Sequence, residues 1–127
     1  SNGTLGAMVV LKCETDFVSK NEDFRKLAYD IAMHVAASNP IYLTSTDIPD
    51  EIMNKAKEVF EKEAEGKPEE MIEKIVAGKL QSYFKEQILL DQPFIKNPDL
   101  TIKGLLAEAV QKFGERVAIA SFTRLSS

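Results

Sequence analysis

The chain has 127 residues, 44% of them apolar and 28% charged, and its 20 acidic side chains against 16 basic ones leave a net charge of −4. That is the balance of one ordinary globular domain spanning 1–127, not of a disordered chain. Lys and Arg are interleaved with Glu and Asp, so the basic face that a nucleic-acid binder needs to neutralise phosphate is missing. The longest apolar runs, "AMVVL" and "VAIA", fall far short of a membrane span, and "SNGTLGAM" lacks the basic start and hydrophobic centre of a signal peptide.

The first element is "GAMVVLKC" (6–13), β-branched and apolar over about a strand's length. It ends on Cys13, the only cysteine, which cannot form an internal disulfide. A lone thiol at the end of an apolar strand reads as a buried structural group in a reducing, cytoplasmic setting.

"ETDFV" (14–18) is the junction to the first helix, which runs from near Thr15 or Ser19 to Ser38. Phe24, Leu27, Ala28, Ile31 and Val35 form its apolar stripe. Ser19 to Glu22 fits a capping box, and Asn39-Pro40 ends the helix because a residue before proline avoids the α region. A second helix starts around Pro49, with Ile52, Met53, Ala56, Val59 and Phe60 inward, and stops at Gly66. Pro68 opens a third, carrying Met71, Ile72, Ile75, Val76, Leu80, Tyr83 and Phe84. "LLDQPFIKNPDL" (89–100), with two prolines, reads as a connector. The last helix runs from Thr101 to Phe113 and is ended by Gly114. "RVAIASFTRL" (116–125) is a second strand.

Strand, four helices, strand implies an α+β fold: a small antiparallel sheet packed on one face by about four helices. Both strands are nearly continuously apolar, as if both faces were covered. Alternation sets Val117 and Ile119 opposite Ala118, Ala120 and Phe122. A second copy is the simplest cover for the free face, which makes Met8, Val10, Val117 and Ile119 the candidate dimer residues.

Enzyme chemistry finds little support. His34, the only histidine, sits beside the Ile31/Val35 stripe with no nucleophile at a matching spacing, so it reads as a partly buried helix histidine with a backbone or carboxylate partner. The carboxylates of "EVFEKEAE" and "EEMIEK" lie at helix-surface spacings and read as solvated faces. No Cys/His cluster or Gly-rich phosphate loop suggests a metal or a cofactor. Phe17 lies seven residues before Phe24, two helical turns, so spacing alone favours a place in the core. Asp16 reads as a charge at a positive helix N-terminus.

"ETDFVSKNEDF" (14–24), "IAMHVAASNP" (31–40), "EGKPEEMIEKIVAGKL" (65–80) and "LLDQPF" (89–94), in that order, resemble the signature segments of bacterial elongation factor Ts. The resemblance covers nearly the whole chain. It implies a guanine-nucleotide exchange factor for elongation factor Tu in the cytoplasm, acting without covalent chemistry or cofactor. It further implies that Asp16 and Phe17 reach the partner's G domain near the nucleotide's magnesium, that Thr15 and Val18 seat the turn, and that two chains pair through their sheets. The family's small ubiquitin-associated-like N-terminal module has no counterpart in the chain, which leaves a dimerisation core. A homodimeric scaffold without exchange activity is the alternative.

Overall fold

The structure is a computed structural model that describes residues 5–126. In chain order it contains β1 (Leu5–Lys12), α1 (Asp16–Ser19), α2 (Glu22–Ser38), α3 (Asp50–Glu63), α4 (Glu69–Lys85), β2 (Pro93–Phe94), β3 (Asn97–Thr101), α5 (Ile102–Phe113) and β4 (Ala118–Ser126). β1 pairs antiparallel with β4, and β2 with β3, in two separate two-stranded sheets. The α+β architecture expected from the sequence is the one observed.

Helix boundaries follow local chemistry. Asn39 ends α2 in the left-handed conformation, at φ 47°, with its N–H bonded to Val35 O, a tolerable cost for asparagine. Gly114 does the same for α5 at φ 73°. At the start of α5 the Thr101 hydroxyl accepts from Gly104 N. The expected first helix is two: α1 stops after one turn and Asn21, with extended backbone, restarts the chain as the N-cap of α2. Ser19 forms no capping box, because its hydroxyl donates instead to Asp16 O. The connector at 89–100 also proves structured, holding a 3₁₀ turn at Leu89–Asp91 and the β2–β3 hairpin. A two-residue strand has no period to read.

The main core joins Val18, Phe24, Ile31, Val35, Leu89, Phe94, Ile102, Leu106, Ala109, Val117 and Ile119, with Val9, Leu11 and Phe122 of the β1–β4 ribbon packed against it. The ring of Phe24 meets Phe113 edge-on at 5.9 Å, tying α2 to α5. α3 and α4 pack against each other and meet the rest through a smaller cluster around Ile48, Phe84 and Ile88.

The β1–β4 ladder corrects the face assignment made from alternation. Val10 pairs with Ser121 but Leu11 pairs with Ile119, so Ala120 is an extra residue in β4. Such a bulge shifts the parity of the strand by one. Ile119 and Phe122 therefore face the same way, into the core, rather than opposing each other. Val117 and Ile119 are buried, each 6% exposed, whereas Met8 and Val10 are exposed on the other face. The four candidate dimer residues do not share a surface.

His34 is fully buried. Ile95 N donates to its Nδ1 at 3.2 Å, which makes Nε2 the protonated nitrogen, donating to Gln92 Oε1 at 2.9 Å. Gln92 Nε2 in turn donates to Glu86 O. The partner is thus a side-chain amide and a backbone N–H, not a carboxylate, and both ring nitrogens are occupied as a neutral imidazole requires.

Burial lowers the pKa of His34 below its ordinary value of 6.5, against a smaller rise from the Gln92 hydrogen bond. As pH falls, the unfolded chain binds the proton first. The His34 contribution to stability is therefore complete above the unfolded value and is lost as pH drops toward the lower folded one. Chemical melts between about pH 7.5 and about pH 5.5 should show stability falling with pH. His34→Gln, less stable throughout, should lose that slope, since no other histidine titrates there.

Candidate functional site

The turn from Cys13 to Lys20 carries the residues that the sequence singled out. Thr15 has extended backbone, φ −127° and ψ 153°, and caps α1, its hydroxyl accepting from Val18 N at 3.4 Å. Below it the Cys13 thiol points to Thr15 O at 3.2 Å. The thiol is half-buried against the core rather than fully enclosed.

Within the one turn of α1 the two apolar side chains diverge. Val18 is 3% exposed and belongs to the main core, while Phe17 is 83% exposed. The spacing argument for a core Phe17 fails for a specific reason. It assumes one continuous helix through Phe24, but the break at Lys20 and Asn21 resets the helical phase, so Val18 takes the inward position. Asp16 is exposed beside the ring. Thr15, Asp16, Phe17 and Val18 thus form a single unit: a seat, an acid, an uncovered ring and an anchor.

Two carboxylates that the sequence reading passed over hold this unit from outside. Glu115, next to the left-handed Gly114, accepts from Thr15 N at 2.8 Å, from the Thr15 hydroxyl at 2.7 Å and from Glu14 N. Glu14 reciprocates, its Oε2 accepting from Arg116 N at 2.9 Å. The Thr15 hydroxyl does most to hold the Glu115 carboxyl below its usual range; desolvation opposes this, and the Thr15 and Glu14 N–H groups add to the lowering. About a hundred residues separate the two glutamates, and no local pattern could have joined them.

Among the described residues no group of three or more His, Cys, Asp or Glu side chains is placed to hold a metal ion, and no helix is long and apolar enough to cross a membrane. An open groove of about 840 Å³ between α3 and α4 lies over 30 residues from the turn in sequence.

The pattern of the family described as "Elongation factor TS" matches residues 25–127. The chain belongs to the elongation factor Ts family. It is 54% identical over 121 residues to the elongation factor Ts of Thermodesulfovibrio yellowstonii, covering 94% of this chain and 61% of that protein. It is 48% identical over 124 residues to that of Carboxydothermus hydrogenoformans, covering 96% and 57%, and 46% identical over 124 residues to that of Moorella thermoacetica, covering 96% and 61%. The chain therefore spans about three-fifths of the length of the elongation factor Ts relatives it matches.

The two apolar residues of the turn make opposite demands on stability. Val18→Ala should destabilise by about 1–3 kcal/mol, since it removes two buried methyl groups from the core. Phe17→Ala should stay within about 0.5 kcal/mol, as surface changes usually do. Denaturant melts of the two variants beside the parent protein check both.

Proposed function

We propose that the chain is the dimerisation core of a guanine-nucleotide exchange factor for elongation factor Tu, acting in the cytoplasm through the G domain of its partner. The observation that carries this reading is the exposure of Phe17, an uncovered aromatic ring next to the exposed Asp16 on a turn fixed from both sides. Large aromatic side chains left in solvent on rigid backbone are typical anchors for another protein. Family membership supports elongation factor Tu as that protein.

The mechanism needs no bond made or broken by the factor. Phe17 and Asp16 enter the G domain beside the magnesium and nucleotide, Thr15 and Val18 keep the turn in place, and the nucleotide-free form of the partner is bound more tightly than the loaded one. By linkage, nucleotide affinity must fall by the same factor. In an assay of fluorescent GDP release from elongation factor Tu, Phe17→Ala in the full-length chain should lose most of the acceleration, and Asp16→Ala should behave alike. Unchanged acceleration by folded Phe17→Ala protein would remove the reading.

The outer face of the β1–β4 ribbon supports pairing of two copies. Met8 and Val10, with Leu125 on the same face opposite Gly6, are large apolar side chains 48–71% exposed on one surface, a patch that soluble monomers seldom leave uncovered. Val117 and Ile119, being internal, contribute by supporting the ribbon from beneath. A dimer that pairs here without exchange activity is the second reading, and the GDP-release assay separates the two. Light scattering should give twice the chain mass, and Met8→Lys with Val10→Lys should return it to the monomer value.

A further inference from the structure

The turn that presents Phe17 is weakly held by its own helix. α1 has four residues, and its capping bond from Val18 N to the Thr15 hydroxyl is long at 3.4 Å. One turn of helix cannot sustain itself, because nucleation fixes several residues for a single bond. Something from outside must set its direction.

The structure supplies it from the other end of the chain. Glu115 Oε2 takes the N–H groups of Glu14 and Thr15, and Oε1 takes the Thr15 hydroxyl. All three groups donate to it, two of them backbone N–H groups that cannot accept, and an ionised carboxylate satisfies all three at once. Glu14 closes the clasp in the opposite sense through Arg116 N. The two backbone positions directly before Asp16 and Phe17 are thereby fixed relative to β4. We propose that Glu115 is a positioning residue for the exchange turn, setting the orientation in which Asp16 and Phe17 meet the G domain. This rests on the exchange-factor reading above.

Four proteins test it: the full-length chain and its Glu115→Ala, Phe17→Ala and Glu115→Ala/Phe17→Ala variants, each assayed for fluorescent GDP release from elongation factor Tu across a range of factor concentrations and normalised to folded protein by a melt. Glu115→Ala should lower the maximal acceleration about tenfold, the scale of lost charged hydrogen bonds, while the half-saturating concentration moves less than about twofold. It should add nothing in the Phe17→Ala background, since it acts through that ring. Amide hydrogen exchange at Thr15 should quicken about tenfold with the α2 core amides unchanged. Should Glu115→Ala fail to fold, Glu115→Gln, which keeps two acceptor lone pairs, replaces it and should give an intermediate loss.

Three results overturn the inference. One is normal acceleration by the Glu115 variants while Phe17→Ala is slow, which leaves the exchange reading standing. Another is a Glu115 effect that adds to that of Phe17→Ala, the mark of a general structural role. The third is full acceleration by Phe17→Ala, which removes the exchange reading and the inference with it.

Discussion

Pairing of the two ends of the chain is the constraint on which the rest depends. Leu5–Lys12 lies against Ala118–Ser126 across a closed loop of roughly a hundred residues. Loop closure of that length is costly in chain entropy but grows only slowly with length, so the ladder and the apolar contacts beneath it can offset it. Once the ribbon exists, its inner face of Val9, Leu11, Ile119 and Phe122 gives α2 and α5 a surface to cover. The junction at 13–16 and the turn at 114–116 then become neighbours at the same end of the ribbon. The site is a by-product of the ladder's last pair.

That geometry explains why one side of the molecule is finished and the other is not. Helices supply apolar stripes to the inner face only, and the bulge at Ala120 turns Phe122 inward to join them. The outward positions keep Met8 and Val10 opposite Thr123 and Ser121; no described helix covers that face, and its side chains alternate apolar with polar across the ladder. At the ribbon's end the backbone ladder gives way to side chains: Glu14 and Glu115 take the N–H groups that a further strand pair would have taken. Ion pairing plays little part there, and the surface ion pairs elsewhere, such as Lys79 with Glu63, are exposed and contribute little.

What the sequence disclosed was what is periodic or locally punctuated. The long helices, their glycine and asparagine ends, and the two terminal strands are readable because each depends on neighbours within a few residues. Spacing leaves the start of the first helix open between Thr15 and Ser19, and only the extended Asn21 shows that the phase is reset before Phe24. The face of Ile119 was misjudged because a bulge is a relation between two strands, invisible in either alone. Gln92 as the partner of His34, and Glu115 as the partner of Thr15, lie 58 and 100 residues from the groups they bind. The turn was found by its residues; what holds it was not.

The α3–α4 hairpin has a consequence of another kind. Its tip, around Gly66 at φ 91°, contributes no residue to the main core, and its root is seated in the small cluster of Ile48, Phe84 and Ile88. Adding or removing matched helical turns at the tip would leave the root, the ribbon and the Phe17 junction where they are. Hairpin length is therefore a free dimension of this architecture, along which related chains can diverge in reach while keeping the same working end.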